Sequence, residues 1–73
     1  MDDWTTAGTI TAGTFLERVQ VMFPSRAFEE PINAEVTAVN TYVERGEEII
    51  TIFLEGPGNR RLNLKTDRLV QVR

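Results

Sequence analysis

Apolar and polar residues alternate along this chain in short runs, the two-residue period of β-strands that bury one face. The first run spans residues 14–23, with Phe15, Val19, Val21 and Phe23 on one side and Arg18 and Gln20 on the other. Leu16 falls out of phase and Glu17 interrupts the alternation, which predicts a β-bulge near Glu17-Arg18. A second run covers 32–43: Ile32, Ala34, Val36 and Ala38 share a face, and then Val39, Thr41 and Val43 take the opposite phase. A phase slip inside one long strand requires a bulge or sharp bend, which is how small barrels turn their corners. In the third run, 48–55, Ile50, Ile52 and Leu54 lie on one face and Ile49 and Phe53 on the other, the mark of a central or covered strand. Residues 60–65 give a fourth strand, with Leu62 and Leu64 inward and Arg61, Asn63 and Lys65 outward, and Leu69 to Val72 gives the last.

The connections carry turn chemistry. Pro24 to Pro31 bounds a loop with room for one helical turn capped by Ser25, and Phe28 at its centre is expected to fold back on the core. Glu44-Arg45-Gly46-Glu47 closes a tight hairpin with Gly46 free to take positive φ, Gly56-Pro57-Gly58-Asn59 is a strong turn, and Thr66-Asp67-Arg68 is a short one. No segment of ten residues has a helical period with caps, so the predicted fold is all-β. Ahead of the strands stands a tandem near-repeat, Thr6-Ala7-Gly8-Thr9-Ile10 and Thr11-Ala12-Gly13-Thr14-Phe15, too short for a solenoid. Residues 1–13 read as an extended N-terminal arm or edge strand that Trp4 anchors, and residues 14–73 as the domain.

Five strands with this order of loops resemble the SH3-like barrel over residues 14 to 72: a longer loop after the first strand, tight turns after the second and third, and a short turn before the last. The expectation is a small, strongly bent, five-stranded barrel. Peptide-reading members of that architecture imply a groove of aromatic and acidic loop residues; Glu29 and Glu30 match the acidic part, while the aromatic signature is missing. Methyl-lysine readers imply an aromatic cage, which here would require Trp4, Phe28 and Tyr42 to converge. The pore strand of barrel-type dihydrofolate reductases is not matched, because Val19-Gln20-Val21-Met22 lies on the wrong strand and lacks the tyrosine.

Composition narrows the chemistry. The 73 residues include neither cysteine nor histidine, which removes disulfides and the usual transition-metal ligands. The remaining candidate catalysts are solvated groups: the pairs Asp2-Asp3, Glu29-Glu30 and Glu47-Glu48 fall in an arm, a loop and a turn, and neighbours on a strand point to opposite faces. Gly56 to Arg61 lacks the Lys-Ser/Thr of a phosphate loop. The expectation is no enzyme, no cofactor, no metal and no small-molecule substrate. The acidic Met1-Asp2-Asp3 start is unlike a secretory leader, and no apolar run approaches the roughly 20 residues of a membrane helix, so a soluble cytoplasmic protein is expected.

Charge is unevenly spread. Residues 1–59 carry three basic and ten acidic side chains, a balance of −7, and residues 60–73 carry five basic and one acidic, a balance of +4, within a net charge of −3. Opposite charges paired across one sheet account for this most simply. The functional expectation is a non-catalytic protein-interaction module, of the kind a small accessory or inhibitory protein or a homo-oligomer would be, acting through Trp4, Met22, Phe28 and Tyr42, which have no evident place in so small a core. The alternative is a nucleic-acid-binding barrel that uses Arg60, Arg61, Lys65 and Arg68.

Overall fold

The computed structural model describes the backbone of residues 3–23 and 26–73, with side chains for all of these except 3, 22, 23, 26 and 27. Among the described residues six strands form in chain order: β1 (Asp3–Thr6), β2 (Phe15–Phe23), β3 (Arg26–Glu44), β4 (Glu47–Leu54), β5 (Arg61–Lys65) and β6 (Leu69–Val72), with a 3-10 turn at Ala7–Thr9. They build one antiparallel sheet in the order β1-β6-β2-β3-β4-β5. The all-β expectation holds. Closure into a five-stranded barrel does not: the described residues form six strands, and the end strands β1 and β5 do not pair.

What stands between those ends is the 3-10 turn. The Ala7 N–H donates to the Arg68 carbonyl at 2.7 Å and the Gly8 N–H to the Thr66 carbonyl at 2.9 Å. Ala7 and Ile10 sink into the core from the same segment. A short plug of small residues thus covers the core where a ladder would otherwise close the barrel. Asp3–Thr6 is an end strand of the sheet, paired with β6.

Strand β3 bends the sheet. Its first part, to Glu35, pairs with β2, and its second, from Val36, pairs with β4. Two register shifts lie along it, as the phase breaks predict. One is opposite Leu16/Arg18, where β2 also slips against β6; the other falls between Val36 and Ala38. The first bulge turns Leu16 inward with Val19, so Leu16 is fully buried, whereas Phe15, expected in the core, is only half-buried and carries the Arg73 guanidinium 4.2 Å from its ring centroid. The second bulge comes one step earlier than the slip in the sequence. Ile32, Ala34 and Val36 are buried, Ala38 is exposed, and Val39 packs against the core.

The proline-bounded loop is largely strand. Phe23 pairs with Arg26, Val21 with Phe28 and Arg18 with Pro31; only Pro24 and Ser25 separate the two strands, and the capped turn expected at Ser25 lies outside the described residues. The β-forming run of β2 extends to Phe23, and its backbone donors and acceptors need a partner strand. Pro31 is tolerated because this part of β3 has a neighbour on one side only and Pro31 sits beside the bulge. On β4, Ile50, Ile52 and Leu54 are buried as expected, and Leu62 and Leu64 of β5 pack against them. Arg45 and Gly46, both at positive φ, make the two-residue β3–β4 hairpin. No helix among the described residues is long and apolar enough to cross a membrane.

Candidate interaction surfaces

The side chains singled out in the sequence land on separate surfaces. Trp4 lies on β1 opposite Gln71, and Leu69 pairs with Thr6, so Trp4 and Leu69 are diagonal neighbours on the outer face, each about 40% exposed. Diagonal positions of an antiparallel pair are within reach of large side chains. Leu69 was not singled out by sequence; its strand is so short that alternation alone does not distinguish its outward residue from Val70, which is fully buried.

Phe28 does not fold back as a lid. It stands on the β2–β3 hairpin opposite Val21 and is 39% exposed. Once residues 26–31 become strand, the chain can no longer loop over the core. Tyr42 pairs with Ile49 near the other end of β3, on the outer face of the β3-β4-β5 part of the sheet. Met22 pairs with Ala27 through its backbone, and its side chain lies outside those described. An aromatic cage is therefore not assembled: Trp4 belongs to an end strand, Phe28 to the first part of β3 and Tyr42 to its last.

The basic set also divides. Arg61 and Lys65 share the outer face of β5, and Lys65 Nζ is 3.3 Å from Glu47 Oε1. Arg73 Nε lies 3.1 Å from Glu17 Oε1, so two of the five C-terminal cations pair with the acidic part of the chain. Arg68 is half-buried in the turn before β6, where its carbonyl holds the Ala7 N–H. Arg60 and Arg61 have no ion pair among the described residues, and they line an open hollow of about 360 Å³ with Thr37, Phe53, Leu54 and Asn59. Phe53, opposite Arg61, is half-buried on the outer face. Between that row and the Ile49–Lys65 row, the Thr51 hydroxyl donates to Asn63 Oδ1 at 2.7 Å. A second hollow, about 450 Å³, is lined by Glu44, Arg45, Glu47 and Ile49 at the β3–β4 hairpin.

Among the described residues, β5, the first part of β3 and β1 each have a neighbouring strand on one side only, and these edges differ. Along β5, Arg61 and Lys65 project and the Gly8 N–H bonds to the adjoining Thr66. The first part of β3 is broken by Pro31 and by Asn33 at φ 51°. Strand β1 carries no proline, no bulge and no cation. Lysine, proline and bulges are the devices by which edge strands resist pairing with another chain. No protein-family model matches this chain, and neither a curated protein nor a solved structure matches it.

Proposed function

We propose that this chain is a non-catalytic protein-interaction module of SH3-like architecture, and that it binds through the end of the sheet formed by β1 and β6. The architectural likeness draws support from strands β2 to β6: antiparallel neighbours follow one another to β5, and β6 returns beside β2. The observation that carries the functional reading is the coincidence of Trp4 and Leu69, two exposed large apolar side chains, with the edge of β1, a strand without proline, bulge or cation. Aromatic anchors next to unpaired backbone are what strand-adding partners use, the backbone for affinity and the side chains for selectivity. The test is retention of a defined protein from the native host by the immobilised chain. Retention is expected for the wild type and lost in Trp4→Ser and Leu69→Ser, with Tyr42→Ser retaining the partner. Equal retention by all four chains, or none by the wild type, overturns the reading.

A second reading has its own observation. Phe53 lies directly opposite Arg61 and beside Arg60, so an aromatic ring and two arginines that have no ion pair among the described residues meet at one hollow. That combination suits a stacked base and its phosphate. The net charge of −3 and the Lys65–Glu47 pair weigh against it. Single-stranded nucleic acid giving a mobility shift at low salt, abolished by Arg61→Glu, would favour it; no shift at low salt ends it.

A further inference from the structure

We infer that the edge of β1 pairs with the β1 edge of a second copy of this chain, antiparallel, about a two-fold axis through Trp4. The inference rests on the proposed interaction role and names its partner. The starting point is which backbone groups face outward. Ala7 donates its N–H to Arg68 across the β1–β6 ladder. In an antiparallel ladder the groups facing a given neighbour alternate residue by residue. Thr5 therefore faces β6, while the N–H and C=O of Trp4 and Thr6 face the open edge. The Thr6 carbonyl also accepts a hydrogen bond from the Thr9 hydroxyl at 2.8 Å. Thr6 is thus partly satisfied within the chain. Among the described residues no strand stands beside the outward N–H and carbonyl of Trp4.

Self-pairing has few allowed registers. A two-fold axis perpendicular to a continuous sheet keeps outer faces together, so the paired residue numbers must share parity. With Trp4 opposite Trp4 of the second copy, the two residues exchange both of their outward hydrogen bonds. Asp3 then falls opposite Thr5, and no like charges oppose among the described residues. The two indoles lie side by side on the outer face, flanked by Leu69 from each copy. Cross-strand aromatic pairs favour such a ladder. Centring the axis on Thr5 instead sets Trp4 against Thr6, whose carbonyl Thr9 already occupies. A strand of four residues makes a small interface, so the association is expected to be reversible and concentration-dependent.

The chain has one tryptophan and no cysteine, which makes the test specific. In sedimentation of the full chain over increasing concentration, a monomer–dimer equilibrium is expected, with a parallel blue shift of Trp4 emission. Trp4→Lys should sediment as a folded monomer, its fold verified by far-UV circular dichroism. Trp4→Cys places two sulfurs at directly opposed positions and should form a disulfide dimer at least tenfold faster than Tyr42→Cys or Phe28→Cys under the same mild oxidation. A wild type that stays monomeric with unshifted emission overturns the inference while leaving the host-partner test above standing. A dimer that cross-links faster through Tyr42→Cys or Phe28→Cys also overturns the β1 pairing, yet keeps the interaction role.

Discussion

The two copies of the N-terminal pentapeptide have nearly the same letters and opposite fates. In the first, Ala7 is fully buried, Gly8 lies against Thr66 and Ile10 is in the core. In the second, Ala12 and Gly13 are exposed, and Phe15 is half-buried beneath Arg73. Each copy closes an i to i+3 hydrogen bond, but the turns are offset by one residue. The Ile10 N–H reaches the Ala7 carbonyl at 3.1 Å, and the Thr14 N–H reaches the Thr11 carbonyl at 3.3 Å. Gly8 is therefore the second residue of its turn and has no positive φ, whereas Gly13 is the third and sits at φ 95°. The same glycine is required in one place for closeness and in the other for backbone shape.

The largest expected difference between the copies is at their apolar ends. Ile10→Ala empties a buried site and should cost about 2–5 kcal/mol, enough to unfold much of a domain whose total stability is of order 5 kcal/mol. Phe15→Ala should cost less, about 1–2 kcal/mol, because part of that ring is already exposed to water. Urea denaturation of both variants measures the gap. Equal midpoints would mean that Ile10 does not plug the core. Next comes Gly8→Ala: an added Cβ would stand 2.9 Å from the Thr66 Cβ and 3.2 Å from its carbonyl oxygen. Overpacking of this kind costs about 1–3 kcal/mol. The strain should loosen the hydrogen bond from the residue 8 N–H to the Thr66 carbonyl, seen as faster exchange of that amide than in the wild type by hydrogen-exchange NMR.

Repetition was legible in the sequence, but this divergence was not. What separates the copies comes from far along the chain: Thr66 and Arg68 receive the first, and Val36 exchanges hydrogen bonds with Gly13 and Thr14 of the second. Local pattern succeeded where the period is enforced by burial on one face, as on β4, and where a phase break demanded a bulge, as at Glu17 and near Thr37. It failed at Pro24 to Pro31, where two prolines outweighed the pairing needs of Val19 to Phe23. The surfaces followed the same rule. Outward positions of Arg61, Asn63 and Lys65 follow from alternation, while the pairing of Phe53 with Arg61 and of Trp4 with Gln71 depends on strand register, which a single strand does not encode.

A smaller but more discriminating test compares two substitutions at each glycine. Gly13 has no heavy atom within 4 Å of where a Cβ would stand, so its only obstacle is positive φ. Gly13→Ala should cost about 1–2 kcal/mol from that backbone alone. Gly13→Asn should cost less, because asparagine tolerates positive φ better than other non-glycine residues, as Asn33 and Asn59 do here at φ 51°. At Gly8 the order should reverse. There the backbone is unexceptional and space is short, so the larger asparagine is worse than alanine. Thermal denaturation of the four variants reads the two orders directly. The same order at both glycines would show that one constraint governs both copies and that the offset of their turns has no energetic consequence.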